Sequence, residues 1–72
     1  MHRRLRRNEV LWWARIHAGL SQGELAAEVH ASRQTICELE NLKRTPSVSL
    51  ALALAQRLDH TVEELFGAAD LR

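Results

Sequence analysis

Apolar residues recur along this chain at intervals of three and four, and no alternating apolar–polar run is long enough to make a strand. The pattern predicts five short helices. The first spans about Asn8 to Ala18, with Leu11, Ala14, Arg15 and Ala18 on one face, and Gly19 stops it. Ser21 opens the second, and Glu24 three residues later makes S-Q-G-E a capping box. Leu25, Ala26 and Val29 form its inner face, and it ends near His30. Ser32 caps a third helix over about residues 33–41, held inward by Ile36 and Leu39. A polar loop from Asn41 to Pro46 leads to a fourth helix in SVSLALALAQRLD, whose inner face is Leu50, Ala51, Leu54, Ala55 and Leu58. T-V-E-E, from Thr61 to Glu64, is a second capping box. It opens a fifth helix carrying Val62, Leu65 and Phe66, ended by Gly67.

These elements predict an all-α domain. The gap between helices two and three is about three residues, which forces a sharp angle of the helix-turn-helix kind. Residues 8–67 form the expected domain, residues 1–7 a basic N-terminal arm and residues 68–72 a frayed C-terminal tail.

The residues of the second and third helices then carry a family likeness. LSQGELAAEVHASRQTICELEN resembles the helix-turn-helix of the XRE family, which includes the phage lambda-type repressors and Cro proteins. PSVSLALALAQRLDHTVEELF resembles the fourth and fifth helices of small bacterial regulators in that family. The likeness covers roughly Leu11 to Phe66, and its weight lies in the joint order and spacing of the motifs. It implies a five-helix, lambda-repressor-like DNA-binding domain whose third helix enters the major groove of double-stranded DNA.

The chemistry of that helix suits the implied role. Its outward side carries Arg33, Gln34, Cys37 and Glu38. Arginine pairs with guanine, glutamine with adenine, and glutamate accepts from cytosine; each good contact is worth about 1–3 kcal/mol of discrimination. By resemblance, Ser32, Arg33, Gln34 and Glu38 stand where bases or nearby phosphates are read. Gln22 contacts a phosphate or braces Gln34, at a helix N-terminus suited to anions. Asn41, Lys43 and Arg44 grip the DNA backbone, although a solvated loop would also account for the last two. The resemblance also implies a structural ion pair between Arg15 and Glu40, which removes Glu40 from the reading set.

Three positions depart from the family. His30, Leu42 and Asp59 stand where relatives often have glycine. Either the turns adjust, or each side chain sits in a left-handed conformation at roughly 1–2 kcal/mol. Helix one departs too, being apolar most of the way round: Trp12 and Ile16 form one flank, and Val10, Trp13 and His17 another. Burying one tryptophan is unremarkable, but burying both in so small a domain is difficult. At least one is therefore expected at an interface, where tryptophan is enriched. Leu52 with Phe66 of helix five is a second candidate interface. A homodimer would match a palindromic operator with half-sites one helical turn apart.

Length and charge narrow the alternatives. The chain has 72 residues, 46% hydrophobic and 26% charged, enough for one small domain and too few for a deep catalytic cavity. Arg3, Arg4, Arg6 and Arg7 are four of the ten basic residues; the other six face nine acidic side chains, a balance of −3. A basic arm on a mildly acidic body suits an anionic partner, though it serves equally as a solubilising end. No apolar run approaches the roughly 20 residues of a membrane span, and no signal-peptide core follows the N-terminus. The single cysteine, Cys37, fits a reduced, cytoplasmic setting, and a plain packing role suits it better than redox sensing. His2, His17, His30 and His60 are too dispersed for a metal site. No phosphate-cradling loop, cofactor motif or paired acids point to catalysis. The rival to a DNA-binding regulator is an antitoxin-type module that binds a toxin through the tryptophan-bearing helix. A third reading is the DNA-binding part of a larger sensor, although AADLR offers no obvious linker to another domain.

Overall fold

In the computed structural model, residues 7–67 are described; the arm residues Arg3, Arg4 and Arg6 and the tail 68–72 lie outside them. The order is α1 (Glu9–His17), α2 (Gln22–Glu28), α3 (Arg33–Glu40), α4 (Val48–Leu58) and α5 (Val62–Phe66). There is no strand among the described residues.

Each helix begins where a short polar side chain replaces the missing intrahelical acceptor. Asn8 accepts from the Leu11 N–H, Ser21 from Glu24, Ser32 from Thr35, Ser47 from Leu50 and Thr61 from Glu64. Both capping boxes close: Glu24 accepts from the Ser21 N–H and Glu64 from the Thr61 N–H, each at 2.8 Å. The Ser21 backbone N–H, helped by its hydroxyl, holds the Glu24 carboxyl below the usual carboxylate range. Helices of five to eleven residues are too short to stand alone, so these caps and the core together must hold them.

Leu11, Leu25, Ile36, Leu39, Leu54 and Leu65 are fully buried and draw on all five helices. Ala14, Ala26, Ala51 and Ala55 fill the narrow spaces between them. Leu50, expected on the inner face of α4, is only partly buried against this cluster. Phe66 corrects an expectation. Expected at a second interface with Leu52, it is 6% exposed and belongs to the core, whereas Leu52 is 50% exposed. α5 is so short that its two large C-terminal side chains are its means of docking.

α1 is tied to the other helices by polar contacts. The Asn8 N–H donates to the Glu40 carbonyl at 2.6 Å, and its side-chain amide donates to the Leu65 carbonyl at 2.7 Å. Arg15 and Glu40, 7% and 2% exposed, form a two-pronged pair: Nε donates to Oε2 at 2.5 Å and Nη2 to Oε1 at 3.2 Å. Arg15 Nη1 also donates to the Leu20 carbonyl at 2.8 Å, and Gln22 Nε2 donates to Glu40 Oε1 at 3.0 Å. No buried side-chain nitrogen or oxygen among the described residues lacks a partner.

Removing one member of such a pair strands a buried charge. Arg15→Ala is expected to cost about 3–5 kcal/mol. In a domain of this size that lowers the melting temperature by on the order of 10 °C or more. Circular-dichroism melts check this, and an unchanged melting temperature would show that the pair contributes nothing to stability.

Candidate nucleic-acid interface

α2 and α3 meet through a tight turn. The Ala31 N–H donates to the Ala26 carbonyl at 2.8 Å, and Val29 closes α2 with its own side chain buried. His30 has φ +58°, so the backbone takes the left-handed conformation with a histidine where glycine is easier. Ala26, 2% exposed, brings the helices close because it has no bulk to hold them apart.

α3 divides cleanly. Ile36, Leu39 and Glu40 are buried on one side, while Ser32, Arg33 and Gln34 are exposed and Cys37 and Glu38 half-buried on the other. Gln34 and Glu38, one turn apart, sit opposite the core. Arg33 lies beside the start of α2: a Cβ added to Gly23 would meet its Cδ at 4.0 Å. Thr35 shares a 2.8 Å hydrogen bond with the Ser32 hydroxyl, a polar flank absent from the expected reading set.

The outward side chains are bonded to one another. Gln34 Nε2 donates to Glu38 Oε2 at 3.2 Å, and Arg44 Nε donates to Glu38 Oε1 at 2.7 Å. The Arg44 guanidinium, then the Gln34 amide, holds the Glu38 carboxyl below the usual carboxylate range. Glu38 is thus ionised and acceptor-only on a face that also presents Arg33 and Lys43.

Two expected DNA contacts are engaged elsewhere. The Gln22 amide reaches Glu40 rather than Gln34, so its side chain braces the buried ion pair. The Asn41 amide nitrogen donates back to the Cys37 carbonyl at 2.9 Å and lies 3.3 Å from Cys37 Sγ. Asn41 therefore closes the end of α3. The spacing of Gln22 and Glu40 along the chain gives no sign that they meet, whereas Asn41 and Cys37 stand one helical turn apart.

The chain leaves α3 through a second left-handed residue, Leu42, with φ +60°. The Lys43 N–H then returns to the Glu38 carbonyl at 2.8 Å, bringing Lys43 and Arg44 back beside the exposed face.

A sharply turned pair of helices with one buried and one polar exposed side on the second is the geometry of a groove reader. The family model described as helix-turn-helix matches residues 13–65. The chain belongs to the XRE-type helix-turn-helix family of DNA-binding transcriptional regulators. Over 60 residues, 83% of this chain and 89% of the relative, it is 33% identical to an uncharacterised HTH-type transcriptional regulator of Methanocaldococcus jannaschii. Over 48 residues, 67% of this chain and 69% of the relative, it is 42% identical to one from Archaeoglobus fulgidus. Among solved structures, the restriction-modification controller protein C.AhdI from Aeromonas hydrophila superposes with a TM-score of 0.74 at 34% identity. That match covers 82% of this chain and 89% of the controller. These matches favour a helix-turn-helix regulator over a toxin-binding module.

No helix among the described residues is long and apolar enough to cross a membrane. No cluster of three or more His, Cys, Asp or Glu among them is arranged to hold a metal ion.

Leu42 is the costliest of the left-handed residues, since aspartate tolerates that conformation better and leucine has no local hydrogen bond to offer. Its side chain is 50% exposed, so little packing is lost on removal. Leu42→Gly relieves roughly 1–2 kcal/mol of strain, less about 0.5–1 kcal/mol for the added freedom of the unfolded chain. A net gain of up to about 1.5 kcal/mol is expected from urea unfolding; a loss would mean that Leu42 packing outweighs its strain.

Proposed function

We propose that this regulator is sequence-specific, inserts α3 into the major groove and binds a palindromic operator as a homodimer. The observation that carries the reading is the division of α3. Ile36, Leu39 and Glu40 lock one side while Arg33, Gln34 and Glu38 stand opposite, unlike in chemistry and adjacent in space. Base edges in the major groove are told apart by such a set of donors and acceptors. Ser32 and the N-terminal backbone of α2 flank the groove, and Lys43 and Arg44 supply phosphate contacts.

The dimer is supported by charge and by surface. A chain of net charge +1 has a small electrostatic hold on DNA, and doubling the contacts squares the binding constant in the ideal limit. Two exposed apolar sets are available for self-association. One is Val10, Trp13 and Ile16 on α1, 44%, 48% and 40% exposed. Trp12 is half-buried beneath the Arg7 guanidinium, whose carbon lies 4.0 Å from the ring centre, so Trp13 is the more available tryptophan. The other set is Val48 and Leu52 on α4, beside a shallow groove lined by Gln56, His60 and Val62.

Selection from random duplexes is expected to enrich a two-fold symmetric sequence. With about three phosphates neutralised per copy, a log–log salt plot of affinity should slope by about −5. Enrichment of no sequence, with equal affinity for every duplex, would reduce the protein to a nonspecific binder.

Native mass measurement is expected to give a dimer, reduced to monomer by Trp13→Ser or by Leu52→Asp. A dimer surviving both substitutions would rule out both surfaces.

A further inference from the structure

We propose that Arg44 is a specificity-positioning residue: it couples the phosphate grip of the loop after α3 to the base-reading conformation of Glu38 and Gln34. The inference rests on the groove-reading function proposed for α3.

The three side chains form a chain of bonds on the exposed face. Arg44 Nε holds Glu38 Oε1 at 2.7 Å, and the second oxygen of the same carboxylate accepts from Gln34 at 3.2 Å. A glutamate on a helix surface otherwise samples several rotamers. Here both oxygens are held, and holding them also orients the Gln34 amide, whose nitrogen faces Glu38. Arg44 reaches Glu38 through Nε. A guanidinium carries five N–H donors in a fixed fork, so its two terminal amino groups stay available. Those groups can meet a phosphate oxygen while Nε keeps Glu38 in place. The Lys43 N–H on the Glu38 carbonyl, at 2.8 Å, anchors the loop at the same turn of the helix. Arg44 also balances the carboxylate's charge on a surface that approaches polyanionic DNA.

A simple phosphate contact behaves differently. Its loss weakens binding about equally for every sequence and reduces the magnitude of the salt slope by roughly one. Loss of a positioning residue changes which bases are preferred. The test uses the duplex enriched from a random library by the wild-type chain, with all its single-base variants. Affinities are measured for wild type, Arg44→Ala, Glu38→Ala and the double variant, and melting curves check that each is folded. Arg44→Ala is expected to flatten the preference at the base pairs read by Gln34 and Glu38 by roughly fivefold or more, leaving the pair read by Arg33 unchanged. In the Glu38→Ala background the same substitution should no longer alter preference, only overall affinity. An unchanged preference profile in Arg44→Ala, with uniformly weaker binding, overturns the coupling and leaves groove reading intact. Failure of the wild type to enrich any sequence overturns groove reading, and the coupling with it.

Discussion

The buried pair between Arg15 and Glu40 is the contact on which the arrangement of this domain depends. Both charges are almost wholly removed from water, so each is tolerable only with the other present and with its remaining hydrogen-bonding groups filled. Those requirements reach three places. Arg15 takes the carbonyl of Leu20 after α1, Glu40 takes the amide of Gln22 at the start of α2, and Glu40 itself ends α3. The N-terminus of the second helix and the C-terminus of the third are thus referred to one point on the first. Apolar packing alone would let these short helices slide, because alanine and leucine surfaces are permissive. A two-pronged ionic contact with directional bonds is not.

That fixed frame allows the rest to be short. Helices of five to eleven residues are marginal, and their caps offset only part of the ordering cost. Tight left-handed turns at His30, Leu42 and Asp59 carry the chain from one element to the next without glycine. Strain at these places persists because the flanking helices are held by the core and the ion pair. One consequence is geometric: the His30 turn sets the angle between α2 and α3, and the Leu42 turn returns two basic residues beside the exposed face of α3.

The surface separates into regions of different chemistry. The exposed side of α3 and the loop after it are polar, with Glu38 tied into a basic surrounding. The outer side of α1 is apolar and aromatic, with Trp13 stacked at an angle against Trp12 and near His17. Most of the exposed apolar content thus lies on α1 and α4, away from the outward side of α3.

Much of this was legible in the residues. Caps at Ser21, Ser32, Ser47 and Thr61 and the core positions Leu11, Leu25, Ile36, Leu39 and Leu54 follow from local rules, since a cap or an inward face needs only its neighbours within a turn. The Arg15–Glu40 pair came from family likeness, because spacing alone gives no reason for residues 25 apart to meet. Phe66, a candidate interface residue by sequence, lies in the core, because a five-residue helix gives too little periodicity to say which side faces in. Gln22 and Asn41 carry internal bonds that the sequence reading did not include, to Glu40 and to the Cys37 carbonyl, and Glu38 gained Arg44 as a partner. The five helices, their order and the sharp turn between α2 and α3 follow from patterns local to each segment. The contacts that join Gln22 and Arg15 to Glu40 do not, because they are set by distances between helices that local sequence does not encode.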